Sequence, residues 1–106
     1  MMNFEFYTAI TEDASLTEDQ VNAIASIHDT ATRLRTKMQE MRRDLERAEE
    51  LMFRGFMPGH HPASIISSQA PMDIAILHTQ LAAAGVHAVA IGVSADWTKR
   101  AMTEAV

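Results

Sequence analysis

The chain has 106 residues, with nine basic and fourteen acidic side chains, five histidines and no cysteine, for a formal net charge of −5. That length suits one domain whose small core leaves much of its apolar surface to be covered by a partner. The acidic balance excludes a general nucleic-acid binder, and the absence of cysteine excludes a disulfide framework, a thiolate metal site and a thiol nucleophile.

Eight methionines and many alanines, against one Trp, one Tyr and four Phe, supply flexible or small contacts of the kind used in helix packing. The first residues, Met1 to Phe6, show no basic start followed by an apolar run, so no secretion signal is read and a cytoplasmic location is expected. The most hydrophobic window, residues 74–93, holds His78, Thr79, Gln80, His87 and two glycines, which argue against a membrane span.

In chain order, residues 3–10 alternate, with Phe4, Phe6, Thr8 and Ile10 on one side and Glu5, Tyr7 and Ala9 on the other. That period of two predicts a half-buried strand. An acidic connection follows, and a long helix over residues 16–55 then opens with several start signals at once. Thr17 is the N-cap, Gln20 completes a capping box, Leu16 and Val21 form a hydrophobic staple, and Glu18 and Asp19 suit the positive end of the helix dipole. No Gly or Pro interrupts the helix before Gly55. About 37 helical residues at ~1.5 Å rise make a rod of roughly 55 Å, longer than a monomer of this size readily covers.

Along this rod the apolar positions Ile24, Ile27, Ala31, Leu34, Met38, Met41, Leu45, Ala48 and Met52 recur in three- and four-residue steps, the spacing of a coiled-coil seam. They are the expected oligomer interface. Charges beside the seam bear on orientation, because a parallel pair would set Lys37 against Arg42 and Asp44 against Glu49. An antiparallel pair joins Met38 to Met41, Leu34 to Leu45, Ala31 to Ala48 and Ile27 to Met52 and brings Lys37 near Asp44, although Arg35 then faces Arg42. The antiparallel homo-oligomer is preferred. Residues 1–32 carry six acidic side chains and no Lys or Arg, whereas residues 33–54 hold seven of the nine basic ones, an asymmetry able to orient self-association or guide an acidic partner.

Residues 56–70 read as a loop punctuated by Pro58, Gly59 and Pro62. A second helix, entered near Pro71, carries Ile74, Leu77, Leu81 and Ala84 and ends at Gly85. Residues 86–93 are dense in β-branched side chains and read as a buried strand, with helix continuation as the alternative. Ser94 caps a last helix over residues 95–104, with Trp97 and Ala101 facing inward. The expected fold is a single-domain, α-rich α+β protein: one long amphipathic helix, shorter helices packed on it, and two short β-strands.

Candidate chemistry is sparse. Gly92 and Ser94, at a strand-to-helix turn, are the candidate ligand contacts, since free N–H groups at a helix start attract anions, but the Gly-rich spacing of a nucleotide loop is missing and a plain capped connection is favoured. His60 and His61 are adjacent on a loop and diverge, and His28, His78 and His87 would need the fold to bring them together, so no metal or other cofactor is expected. Serines and histidines are present without a motif tying one to another, so no catalytic residue is assigned and no enzyme is expected. The leading expectation is a small non-enzymatic, self-associating helical protein that binds another protein, as assembly component, adaptor or inhibitor. Such rods are common among phage and mobile-element products. The alternative is a small-ligand-binding or sequestering protein with a pocket at the oligomer interface.

Overall fold

The computed structural model of the chain describes residues 4–54, apart from the Met52 side chain, and residues 70–105. Among these residues there are four helices, α1 (Phe4–Glu12), α2 (Glu18–Phe53), α3 (Ala70–Ala90) and α4 (Ala95–Thr103), and no strand. The α+β expectation is therefore corrected to an all-helical fold. Most of the loop expected over residues 56–70 lies outside the described residues, but Ala70 belongs to α3.

The strand expected over residues 3–10 is the helix α1. Its sequence satisfies two periods at once, and burial decides between them. Phe6 and Ile10, four residues apart, are fully buried, whereas Phe4, which a strand would place beside Phe6, is 80% exposed. After α1 the chain turns on Asp13, whose carboxylate accepts the Ser15 backbone N–H at 2.9 Å and the Ser15 hydroxyl at 2.5 Å, while its carbonyl accepts the Leu16 N–H at 3.1 Å. The two Ser15 hydrogen bonds, the hydroxyl first, hold the Asp13 carboxyl below its ordinary value.

The start of α2 is built as its sequence specifies. The Gln20 N–H donates to Thr17 Oγ1 at 3.2 Å and the Thr17 N–H donates to Gln20 Oε1 at 3.0 Å, a reciprocal capping box, with Leu16 and Val21 both packed on the core beside it. Gln20 has a second task. Its Nε2 donates at 2.9 Å to the carbonyl of Ile91, just beyond the end of α3.

The second expected strand, over residues 86–93, is also helix. Gly85 does not stop α3, because a helix-interior glycine costs only about 1 kcal/mol and continuing the helix adds a backbone hydrogen bond per residue. The stop is Gly92. With φ at +85° it takes the left-handed conformation, its N–H donates to Val89 O at 3.0 Å, and the Val93 N–H donates to Ala88 O at 2.9 Å. That pair of bonds is a Schellman cap, and its apolar clasp is present because Val93 and Ala88 are both buried in the core cluster. Two residues later Ser94 Oγ accepts the Trp97 N–H at 3.3 Å and opens α4 as expected.

α2 is the spine. α3 lies antiparallel to it, with Asp73 at its start 3.6 Å from Lys37 and Ile91 at its end on Gln20. α4 returns along α2 so that the Glu104 carbonyl accepts from His28 Nε2 at 3.3 Å and the Ala105 carbonyl accepts from Arg35. Between α1, α2 and α4 the Phe6 ring stacks on His28 at 4.9 Å and meets Trp97 at 6.4 Å, with the Arg100 guanidinium 5.8 Å from the Phe6 ring and 5.2 Å from that of Trp97. Ile10, Ala23, Ile24, Ile27 and Ala101 complete this core, where each large apolar side chain contributes roughly 1.5–3 kcal/mol by burial. The 36 residues of α2 reach about 54 Å, most of the 61 Å length of the molecule.

Gly85 inside α3 and Gly92 at its cap should respond oppositely to alanine. A Cβ at Gly85 meets nothing within 4 Å, so Gly85→Ala should raise stability by roughly 0.5–1 kcal/mol. At Gly92 the positive φ disfavours alanine and a Cβ would lie 3.3 Å from Gln20 Nε2, so Gly92→Ala should cost about 1–2 kcal/mol. Urea unfolding midpoints check both signs; a midpoint for Gly92→Ala at or above that of the parent would mean the cap is not as described.

Candidate interaction surface

The structure divides the seam of α2 into two stretches. Ile24, Ile27, Ala31 and Leu34 are buried within the one chain, three of them nearly completely, as the neighbouring helices close over this half of the rod. Beyond them Met38 is 50% and Leu45 41% exposed, Met41 is half-buried, Ala48 is buried, and the Met52 side chain lies outside the described residues. A partner helix lying along the whole rod would have to displace neighbours from the first stretch. The second stretch keeps an apolar edge of Met38 and Leu45 open to solvent.

Two of the charges that bear on orientation, Lys37 and Arg35, already have partners in the chain. Lys37 Nζ lies 3.4 Å from Glu40 and 3.6 Å from Asp73, and Arg35 is engaged by the Ala105 carbonyl. Glu40, by its charge and its hydrogen bond, and then Asp73 hold the Lys37 ammonium above its ordinary value. Arg33 and Lys37, with Asp73, Ile76, Leu77 and Gln80 across from them, line an open groove of about 550 Å³ between α2 and α3.

Gly92 and Ser94, the candidate ligand contacts, are occupied by structure. The Gly92 N–H is used in capping α3, and the Ser94 oxygens accept from the Trp97 and Thr98 N–H groups of α4. The three described histidines, His28, His78 and His87, do not converge. His28 is fully buried under Phe6, whereas His78 and His87 are exposed on α3, and His60 and His61 lie outside the described residues. Among the described residues no group of three His, Cys, Asp or Glu side chains is placed to hold a metal ion.

The surface that sequence reasoning missed is the outer side of α3. Leu77, Leu81, Ala84 and Ala88 turn towards the protein, and the opposite side presents Met72, Ala75, Ile76, Thr79, Ala82, Ala83, Val86 and Val89 to solvent. Val86 is 72%, Val89 67% and Met72 65% exposed. From Ile74 to Ala95 there is no Asp, Glu, Lys or Arg, so this surface carries no formal charge apart from what His78 and His87 acquire on protonation. Its spacing, in steps of three and four from Met72 to Val89, was present in the sequence; ending the helix at Gly85 divided the pattern into two pieces. The stripe is thus an extended apolar surface on a helix whose other side is packed against the protein. Among the described residues no helix is long and apolar enough to cross a membrane.

No protein-family model, no curated protein and no solved structure matches the chain.

The Lys37 contacts give a pH dependence with a definite sign. Because its folded value is raised, the stabilisation is fully present below the ordinary lysine value of about 10.4 and is lost as pH rises through the folded value. The difference in urea midpoint between the parent and Lys37→Met should therefore hold steady from neutral pH to about 10 and shrink above it. A difference that grows with alkali would contradict the pairing with Glu40 and Asp73.

Proposed function

We propose that this is a small non-enzymatic, self-associating helical protein that acts through protein–protein contact, as an assembly component, adaptor or inhibitor. The observation that carries the reading is the amount of organised apolar surface left uncovered: the outer side of α3 and the Met38–Leu45 edge of α2 both expose large side chains at helical spacing. An enzyme or small-ligand binder concentrates its apolar surface and convergent polar groups in an enclosed pocket. Here the groove between α2 and α3 is open, and its ammonium group is already paired with Glu40 and Asp73.

The arrangement also supports contact between copies in preference to capture of nucleic acid. Both uncovered surfaces are apolar, and the basic residues of α2 are interleaved with Glu40, Asp44, Glu46, Glu49 and Glu50, so no continuous basic face is available for phosphates. Light scattering should give a mass of at least twice the 11.7 kDa chain at micromolar to tens-of-micromolar concentration. A constant single-chain mass up to about 100 µM, which corresponds to binding weaker than roughly 5–6 kcal/mol, would sink the self-association half of the reading.

A further inference from the structure

The geometry points to one specific mode of self-association: two copies pair through the outer sides of their α3 helices, antiparallel, about a two-fold axis passing between Gln80 and Leu81. This inference rests on the self-association reading above and names its surface. The occupant is a second copy because three properties of the surface suit its own image.

The first property is charge. With no Asp, Glu, Lys or Arg between Ile74 and Ala95, the stripe offers nothing to a charged partner, whereas a second copy brings an equally neutral stripe and keeps the −5 of each chain away from the contact. The surroundings of the stripe then select the direction. α3 begins beside Arg33 and Lys37, where the basic stretch of α2 starts, and ends beside Asp19 and the acidic first turn of α2. An antiparallel pair sets the basic start of each stripe beside the acidic end of the other, and a parallel pair would set like beside like. The opposed helix dipoles favour the same direction.

The second property is shape. Small residues, Thr79, Ala82 and Ala83, occupy the middle of the stripe, and larger ones, Met72 and Ile76 at one end and Val86 and Val89 at the other, flank it. The antiparallel register places Thr79 opposite Ala82, Ala75 opposite Val86, and Met72 opposite Val89. The helices approach closely at the centre, Val86 meets the smaller Ala75, and Met72 and Val89 close the two ends. In a parallel register Met72 meets Met72 and Ala75 meets Ala75, which crowds one layer and leaves the next empty.

The third property is area. The stripe runs most of the length of a 21-residue helix, about 28 Å, and half the accessible circumference of a helix adds roughly 20 Å of width. The pair would bury on the order of 1,000 Å² in total, the lower bound for a specific association and the size of a reversible dimer. The Met38–Leu45 edge of α2 is shorter and bordered by Arg42, Asp44 and Glu46.

Three variants in the intact chain test the proposal by sedimentation velocity and disulfide trapping. Thr79→Arg places a charge at the centre of the stripe, on an exposed position where the protomer itself is unaffected, and should weaken association at least tenfold with unchanged helicity and unfolding midpoint. Leu45→Glu, on the α2 edge, should leave association as it is. Because the chain has no cysteine, Met72→Cys and Val89→Cys can be prepared separately; their equimolar mixture should oxidise to the mixed disulfide dimer, and neither alone should cross-link efficiently. Dissociation by Leu45→Glu but not by Thr79→Arg would overturn the α3 pairing while leaving self-association standing. Cross-linking of Met72→Cys with itself would overturn the antiparallel direction. A parent chain that stays monomeric at about 100 µM would overturn both the pairing and the reading beneath it.

Discussion

Gln20 joins the two places where this fold is decided. Its backbone and side chain close the capping box that starts α2, and its amide holds the carbonyl of Ile91 where α3 has ended and α4 has not yet begun. Without that link the Schellman turn at Gly92 would be held by its own two hydrogen bonds and the burial of Val93. With it, α4 is sent back along α2, Trp97 and Arg100 reach Phe6, and the last carbonyls arrive at His28 and Arg35. The cover over the first half of α2 thus rests on a cap at Gly92 that Gln20 ties to the start of α2.

His28 shows the cost of building a core from so few large side chains. The imidazole is completely buried and stacked on Phe6, and its Nε2 carries the proton donated to the Glu104 carbonyl, since a carbonyl can only accept. Nδ1 is left buried without a hydrogen-bond partner among the described residues, 3.6 Å from the Asp29 carboxylate. An unsatisfied ring nitrogen costs about 1–3 kcal/mol, and the ring gives back the apolar contact with Phe6 and the anchor for α4. Phenylalanine in its place would keep the stacking and lose the anchor.

The parts of this fold that were legible in the sequence are those governed by local chemistry. Thr17 and Gln20, Leu16 and Val21, and Ser94 each announce a helix start through groups within a turn of one another, and the three-four spacing of Ile24, Ile27, Ala31 and Leu34 marks the buried face of α2. The strands failed for different reasons. Phe4 to Ile10 is too short for period two and period four to separate, since Phe6 and Ile10 satisfy both, and only the exposure of Phe4 tells them apart. Val86 to Val93 carries β-branched residues that fit a strand, but helix continuation through Gly85 was worth more than their local preference, and the cap signal lay in Gly92 followed by an apolar Val93. That continuation also completes the outer stripe of α3, since Val86 and Val89 lie beyond Gly85. What covers the first half of α2 depends on tertiary contacts between residues more than seventy positions apart, such as Gln20 with Ile91 and His28 with Glu104, which no local pattern encodes.

The protein thus separates its charge from its apolar surface by element. α2 carries most of the basic residues and many acidic ones, so its exposed face is well solvated and its charges are satisfied by near neighbours, as in Lys37 with Glu40 and Arg54 with Glu50. α3 does the reverse: after Asp73 it carries no Asp, Glu, Lys or Arg, with one side packed on the core and the other exposing Met72, Ile76, Val86 and Val89. A helix used only to cover α2 would do so equally well with Lys, Glu or Gln at Met72, Ala82, Val86 and Val89, and would be more soluble for it. Those positions are exposed, so packing within the chain does not require them to be apolar. A bare neutral stripe on a molecule of net charge −5 is the feature on which the proposed pairing with a second copy rests.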